Sequence, residues 1–361
     1  MVDIEALEAA GIANARQRVG LLTYLDGLGF SVAEMVEADR SGRLFGLAGD
    51  VLQWSGPPLY SIRTAAASLG VPADDVARAW ALLGLDAGGP DDVSLSQADV
   101  DVLTTWIDMK KWFGDTEAYS FLRVLGSVMA RLAEAESAAT RARVPDIQIH
   151  HTGDELATAK AYRAAAAFIP RIGALIDVVH RHHVISARNH FEQVIRDSSA
   201  SVVCGVGFAD LSGFTALTQR LTPTELSALL NEFSATVSDV LHADGGRIVK
   251  FIGDEVMWVS ATPHALAEAA TDLVNHPKAF EVGLRVRAGL GWGDALAING
   301  DYFGIMVNLA ARLVGAARPG QILAAEAVHD ELPDWPAAEC KPLMLKGFDA
   351  PVTAYELHRA G

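Results

Sequence analysis

Two aspartates stand at the ends of strand-like stretches in the second half of the chain. Asp210 closes the apolar run Val206–Ala209, and no basic residue stands beside it in the sequence. Asp254 lies in a tight Gly-Asp turn between two further strand-like runs, directly before Glu255. Carboxylates that meet without a cation repel each other, and Mg²⁺ prefers such oxygen ligands. The pair therefore predicts a metal site, or else two unrelated turn aspartates, the first of which caps the next helix.

A polar pair on a predicted helix offers a second piece of chemistry. Asn308 and Arg312 are four residues apart, so they lie on one face of the helix that follows Asp301. Their neighbours are largely apolar, so we expect both side chains to need a polar partner. A bound nucleotide would supply one, and so would a neighbouring acid.

The elements that carry these residues follow from the pattern along the chain. Residues 1 to about 145 have helical periodicity, and a second helical block runs from Asp154 to Ile195 with a break at Pro170. The polar stretch 196–201 is the predicted linker. Beyond it, short β-rich runs alternate with helices, which predicts a mixed α and β domain from about residue 201 onward.

Composition narrows the classes of function. The 361 residues carry a formal net charge of −16, which argues against a nucleic-acid binder and against adsorption to anionic lipid. Tyr60–Leu85 has a helix-turn-helix pattern, but it lies in an acidic region and is interpreted as a packing unit. With no signal peptide, no transmembrane segment and two distant cysteines, the sequence predicts a cytoplasmic protein.

Four stretches together resemble the catalytic domain of class III nucleotide cyclases. They are FADLSGFT, VKFIGDEVM, GDYFGIMVNLAARL and the closing LKGFDAPVTAYEL, which resembles the family's final strand pair. The resemblance covers about residues 201–358. It implies an α+β protein, with a helical regulatory and autoinhibitory domain at 1–195, a linker at 196–201 and a ferredoxin-like βαββαβ catalytic domain at 202–361. Residues 1–195 resemble more loosely the regulatory domain of some soluble bacterial members.

The resemblance assigns roles to the residues around the two aspartates. Asp210, Asp254 and the backbone carbonyl of Leu211 would hold two Mg²⁺ or Mn²⁺ ions per site. The ions would lower the pKa of the ribose 3′-hydroxyl and bridge the triphosphate oxygens. The backbone N–H groups expected to cradle phosphate oxygens belong to Ser212, Gly213 and Phe214.

The same resemblance predicts the substrate and the reaction. Lys250 and Asp301 match the pair that reads the base, and an ammonium with a carboxylate complements the adenine edge, so ATP is favoured over GTP. Asn308 would orient the ribose, and Arg312 would neutralise charge at the α-phosphate in the transition state. Lys346 would meet the triphosphate. The expected activity is conversion of ATP to 3′,5′-cyclic AMP and pyrophosphate.

Assembly and competing functions also follow from the resemblance. Family members build the site between two subunits, so one catalytic domain per chain implies a homodimer with two equivalent sites. The alternatives are a guanylyl cyclase, a diguanylate cyclase, since IGDEV resembles that family's turn, and a non-catalytic nucleotide-binding signalling module.

Four histidines crowd the helix before the predicted linker, namely His180, His182, His183 and His190. Histidine titrates near neutral pH. They are either solvated surface residues or a pH switch through which the N-terminal domain gates the cyclase.

Overall fold

The computed structural model describes residues 4–194, 201–281 and 283–359, without the side chains of residues 190, 191, 193 and 194. It divides into two compact units, Met1–His182 and His183–Gly361. The first is helical and the second combines a sheet with helices, which confirms the predicted fold class. Most of the predicted linker lies outside the described residues, so the domain boundaries at 195 and 202 stay predictions.

The first unit is built from helices with well-defined starts. Ser31, Ser61 and Ser96 each form a capping box, which satisfies backbone N–H groups at a helix start. The predicted break in the second helical block lies at residues 167 and 168, and Pro170 stands just after it, in the first turn of the eleventh helix. The helices are α1 (Ile4–Ala9), α2 (Val19–Gly27), α3 (Val32–Arg40), α4 (Leu47–Asp50), α5 (Ile62–Leu69), α6 (Ala73–Leu82), α7 (Gln97–Phe113), α8 (Asp115–Arg143), α9 (Ile149–Thr152), α10 (Glu155–Ala166) and α11 (Ile169–Val194), with 3₁₀ turns at Ala15–Arg18 and Pro145–Ile147.

A half-buried arginine joins distant parts of this first unit. The Arg18 guanidinium donates to Asp39 at 2.6 Å and to Glu155 of α10 at 2.6 and 2.9 Å. One guanidinium therefore binds both acids through charge-assisted hydrogen bonds, which fixes α10 against the N-terminal helices. Among the described residues, no helix of the chain has both the length and the apolar character needed to cross a lipid bilayer.

The second unit is a sheet with helices on its faces. The elements are β1 (Ser201–Ser212), α12 (Phe214–Thr218), α13 (Pro223–Ala243), β2 (Arg247–Ile252), β3 (Glu255–Ser260), α14 (Pro263–Val274), α15 (Pro277–Glu281), β4 (Arg285–Ile298), β5 (Asp301–Phe303), α16 (Ile305–Ala316), β6 (Ile322–Ala325), α17 (Glu326–Asp330), β7 (Ala337–Glu339) and β8 (Ala354–Leu357). The strand order is β2-β3-β1-β4-β6-β8-β7, with β5 paired to β4. The order β2-β3-β1-β4, with β1 antiparallel to both its neighbours, is that of a ferredoxin-like βαββαβ unit.

The central strand β1 is buried on both faces, which explains its continuous apolar sequence. Val202, Cys204, Val206 and Phe208 point into one core, while Ala209 and Leu211 point into the other. Gly207 leaves room for a neighbour, because a Cβ there would lie 2.1 Å from the Trp258 ring.

Helix α16 lies unusually close to β4. A Cβ on Gly289 would lie 2.3 Å from the Ala310 carbonyl oxygen, and one on Gly291 would lie 2.5 Å from that of Met306. Glycine is therefore needed at both positions for this close packing. The approach fixes which face of α16 is covered and which is open to solvent.

The closing stretch differs from the predicted strand pair. Within Leu345–Leu357 only β8 is a strand, and its partner β7 lies earlier in the chain. Leu343 and Val352 form an isolated bridge around the turn at Gly347.

Candidate active site

Three carboxyl groups meet where β1 ends beside the β2–β3 turn. Asp210 is the last residue of β1 that pairs with β3, and its cross-strand neighbour is Glu255. Asp254 lies in the turn itself, beside Asp210. The structure therefore brings together the two aspartates that the sequence singled out, and adds Glu255 to them.

The cluster holds more negative charge than its surroundings neutralise. Burial and then the Asp210 carboxylate raise the pKa of Asp254, although its own backbone N–H and Arg287 oppose this. Burial, followed by Asp210 and Asp254, raises the pKa of Glu255 to about 7. Both shifts have the direction expected for carboxylates that lack a sufficient counter-charge. A hard divalent cation would supply the missing counter-charge, and the Asp210 and Asp254 carboxylates offer it oxygen ligands.

One counter-charge was missed in the sequence. Arg287 lies directly opposite Asp210 on β4 and donates to its Oδ2 from Nε at 2.8 Å and from Nη2 at 2.5 Å. Its Nη1 donates to the carbonyl oxygens of Gly315 and Ala317 at 3.3 and 3.2 Å. Asp210 therefore has a basic neighbour in the fold, although none stands beside it in the sequence. The pairing joins residues 77 positions apart, and the only local signal is an arginine inside an apolar strand.

The turn after Asp210 has the backbone that the sequence predicted. Gly213 has φ 91°, a left-handed conformation that favours glycine, and α12 begins at Phe214. The Ser212 Oγ is buried and has no hydrogen-bond partner among the described residues. An unpartnered buried hydroxyl beside a carboxylate cluster fits a site that takes a polar ligand. The Leu211 carbonyl stays a predicted ligand.

The predicted base-reading residues form an ion pair. Lys250 of β2 donates through Nζ to the Oδ2 of Asp301, although 51 residues and several strands separate them. The side chains are 36% and 28% exposed, so solvent and a ligand reach both. Asp301 Oδ1 also accepts the backbone N–H of Tyr302 at 2.9 Å, which fixes the carboxylate plane.

The predicted catalytic pair lies on the open face of α16. Asn308 and Arg312 are both exposed, while Met306, Val307 and Ala310 are buried on the other side of the helix. The apolar neighbours of the pair thus lie mostly on the covered side of the helix, because the glycines of β4 let that side approach the sheet closely. Arg312 Nε donates to the Lys346 carbonyl oxygen at 3.1 Å, which brings these two predicted residues together.

The site residues fall into separate groups within one chain. Asp210, Asp254 and Arg287 form one, and Lys250 with Asp301 forms another. Arg312 is anchored beside Lys346. In the part of the chain that the structure describes, no hydrogen bond or ion pair joins the carboxylate group to Lys250, Asp301 or Arg312.

The metal expectation rests on two aspartates. Over residues 4–194, 201–281 and 283–359, no group of three or more histidine, cysteine, aspartate or glutamate side chains is arranged to hold a metal ion. Asp210 and Asp254 have the carboxylate chemistry for a hard divalent cation, since Mg²⁺ commonly takes only one or two protein carboxylates and fills its shell with substrate phosphates and water.

The histidines that the sequence predicts to be regulatory lie on α11. His180, His182 and His183 are exposed, and the side chain of His190 lies outside the described residues. On the same helix, Arg181 pairs with Asp177 at 3.0 Å and Arg188 with Glu192 at 3.6 Å.

Comparison with known proteins places this arrangement in a family. The adenylate and guanylate cyclase catalytic domain model matches residues 197–359. An uncharacterized protein of Mycobacterium tuberculosis is 68% identical over 357 residues, covering 99% of this chain and 94% of that protein. An adenylate cyclase of Streptomyces coelicolor is 31% identical over 294 residues, covering 78% and 74%. A pH-sensitive adenylate cyclase of Mycobacterium tuberculosis is 36% identical over 160 residues, covering 43% and 40%.

The chain therefore belongs to the class III nucleotide cyclase family, which confirms the resemblance seen in the sequence. Its sheet-containing unit is a nucleotide cyclase catalytic domain. The family generally uses divalent metal ions.

Proposed function

We propose that this protein is an adenylyl cyclase that converts ATP to 3′,5′-cyclic AMP and pyrophosphate. The observation that carries the choice of ATP is the ion pair between Lys250 and Asp301. An ammonium donates to adenine N1 and a carboxylate accepts from the N6 amino group, whereas guanine presents a donor at N1 and an acceptor at O6. The adenylate cyclase of Streptomyces coelicolor is a relative whose named activity agrees with this choice.

The chain's own residues divide the work. Asp210 and Asp254 would hold two Mg²⁺ or Mn²⁺ ions, with the Leu211 carbonyl as a further ligand. When bound, these ions supply Lewis acidity to the ribose 3′-hydroxyl and to the triphosphate. The backbone from Ser212 to Phe214 cradles phosphate oxygens, and Lys346 contacts the triphosphate. Asn308 orients the ribose, and Arg312 places positive charge beside the α-phosphate, where charge develops in the transition state.

A cyclase assay of the full-length protein with ATP and with GTP, each with Mg²⁺ and Mn²⁺, tests this function. We expect cyclic AMP from ATP and much slower turnover of GTP. Faster turnover of GTP would favour a guanylyl cyclase, a dinucleotide product would favour a diguanylate cyclase, and no turnover of either nucleotide would favour a non-catalytic module.

The base-reading pair offers a direct test of specificity. Lys250→Glu combined with Asp301→Cys removes both complements of the adenine edge, so we expect kcat/KM for ATP to fall by about a hundredfold or more. Steady-state kinetics with both nucleotides measures the change. The exposed pair His264 and Glu268 on α14 supplies a control, His264→Glu with Glu268→Cys, which should leave the kinetics unaltered. Unchanged ATP kinetics in the Lys250→Glu, Asp301→Cys variant would show that these two residues do not recognise the base.

An exposed apolar face supports assembly as a homodimer. Leu296 and Phe303 are opposite each other on β4 and β5 and are 46% and 49% exposed. Ile298 shares their face and is 42% exposed, and its cross-strand partner is Asp301. Ile305, at the start of α16, is 78% exposed. A second copy of the chain would cover this face. Each site would then combine the Asp210–Asp254 carboxylates of one chain with the Lys250, Asp301 and Arg312 side chains of the other.

Complementation tests the shared site. Asp210→Ala and Arg312→Ala chains should each be inactive alone, and mixing them should restore activity up to about one quarter of wild type. That limit holds because a random mixture is half heterodimer, and each heterodimer has one intact site and one site with both defects. Fluorescence energy transfer between labelled chains establishes subunit exchange. Exchange without recovered activity would place the whole site within one chain.

The N-terminal helical unit is proposed to inhibit and gate the catalytic domain, with pH as one signal. The observation behind this is the exposure of His180, His182 and His183 on a helix that also carries Arg181. Protonation would add like charge to one short surface. The pH-sensitive adenylate cyclase of Mycobacterium tuberculosis is a relative whose name agrees with such regulation.

Replacing His180, His182, His183 and His190 with glutamine should flatten the pH–activity profile of the full-length protein between about pH 5 and 8. Glutamine retains polarity and removes titration. Replacement of the exposed His242 and His358, both in the catalytic unit, is the matched control and should leave the profile unchanged. Identical profiles for wild type and the fourfold variant would show that these histidines are ordinary surface residues.

A further inference from the structure

A cavity of about 190 Å³ lies behind the Lys250–Asp301 pair. Its wall is formed by one charged residue of β2, Arg247, by apolar groups of β2 and β4, and by the β4–β5 turn. The wall residues besides Arg247 are Ile248, Val249, Ala297, Gly300, Asp301 and Tyr302. The cavity is separate from the Asp210–Asp254 cluster, and no role assigned above uses Arg247.

Arg247 is a partly buried cation without a matching anion. Its Nη1 is buried and has no hydrogen-bond acceptor among the described residues, and its guanidinium enters no ion pair with any of them. The other half-buried arginines of the described residues all have acceptors. Arg18 and Arg287 have carboxylate partners at 2.6 and 2.5 Å, and Arg163 donates to the Ala48 carbonyl oxygen at 2.8 Å. Burying a charged donor without a partner is costly, so such a group points to a ligand that completes it.

The surroundings define the chemistry of that ligand. The nearest carboxylate on the wall, Asp301, is already bonded to Lys250 and to the Tyr302 backbone N–H. The positive charge of Arg247 acts on the buried Tyr302 hydroxyl and opposes the rise in its pKa that burial causes. The planar guanidinium fork matches carboxylate and phosphate oxygens. The neighbouring Ile248 and Val249 side chains offer the guanidinium no polar partner of their own. The cavity therefore suits a small oxyanion that binds Arg247.

We propose that this cavity is a binding site for a small oxyanion, held by Arg247. A bound anion would lie against Gly300 and Asp301, so it would act on the position of the residue that reads the base. That consequence rests on the proposed function, whereas the binding itself does not.

Nuclear magnetic resonance of the full-length protein tests the site with two probes, ¹³C-labelled acetate and inorganic phosphate, at constant ionic strength. We expect saturable line broadening for at least one of them, which identifies carboxylate or phosphate as the preferred anion. Arg247→Met should weaken that binding about tenfold or more, because a charge-assisted pair is lost, and Arg247→Lys should weaken it less. Arg143→Met, which removes an exposed arginine from α8, should leave it unchanged.

Thermal unfolding distinguishes an anion site from a tolerated unpaired charge. The preferred anion should raise the Tm of wild type and of Arg247→Lys, but not that of Arg247→Met. No saturable binding of either probe to wild type would overturn the proposal, as would equal binding to Arg247→Met. Neither readout needs catalysis, so an inactive enzyme that binds the anion removes only the proposed function, and an active enzyme that binds neither probe removes only this site.

Discussion

Asp210→Asn and Asp254→Asn should each reduce cyclase activity at least about a thousandfold at every Mg²⁺ or Mn²⁺ concentration, because a bound metal contributes several kcal/mol to transition-state stabilisation. Asparagine retains the shape of the side chain and removes the charge that a hard cation requires. Cyclic AMP formation measures the loss, and electron paramagnetic resonance of bound Mn²⁺ measures the metal site directly.

The structure adds a constraint to this experiment. Asp210→Asn also leaves the Arg287 guanidinium without its carboxylate, so part of the effect could come from folding. Asp254 has no such ion pair within the described residues, which makes Asp254→Asn the cleaner variant. Asp239→Asn, an exposed position on α13, serves as the matched control. Substantial activity or undiminished Mn²⁺ binding in Asp254→Asn would remove Asp254 from the metal site.

Arg312→Ala should lower kcat by about a hundredfold to a thousandfold while changing KM for ATP little, since the charge that it neutralises forms mainly in the transition state. Stopped assays over a range of ATP concentrations separate the two constants. Arg312→Lys retains the charge without the planar fork, so it should fall between wild type and the alanine variant.

A structural role for Arg312 predicts a different pattern. The Nε of Arg312 holds the carbonyl oxygen of Lys346 at 3.1 Å, so its loss would also release the 346–347 turn. If that contact were its whole contribution, KM would rise along with the fall in kcat, and the Tm would drop. Met344→Ala perturbs the same loop at an exposed position and controls for this effect.

Much of the local structure follows from residues close together in sequence. The Gly253-Asp254 turn lies between the two short strands, as predicted, and α16 brings Asn308 and Arg312 onto one face through its helical period. Pro170 stands just after a break between helices, because a residue in the first turn of a helix needs no N–H. These features depend on backbone preference and on spacing of a few residues, and the sequence states both directly.

The spacing of the motifs in the sequence predicted which residues form the site. It did not predict which charged side chains pair with one another. Arg287 belongs beside Asp210 only because β1 and β4 are antiparallel neighbours in a particular register, and a shift of one residue would send its side chain to the opposite face. Lys250 meets Asp301 only because β5 folds back on β4. Neither contact has a local signature in the sequence.

Tertiary packing also determines which face of α16 is open to solvent. The sequence determined that the helix has one polar face, and the close packing at Gly289 and Gly291 determined that this face points to solvent. The sequence by itself thus determined which residue types are available for chemistry and the family to which they belong. Only the tertiary structure decided which charges neutralise one another, because pairing across a sheet depends on strand order and register, set by the packing of the whole domain.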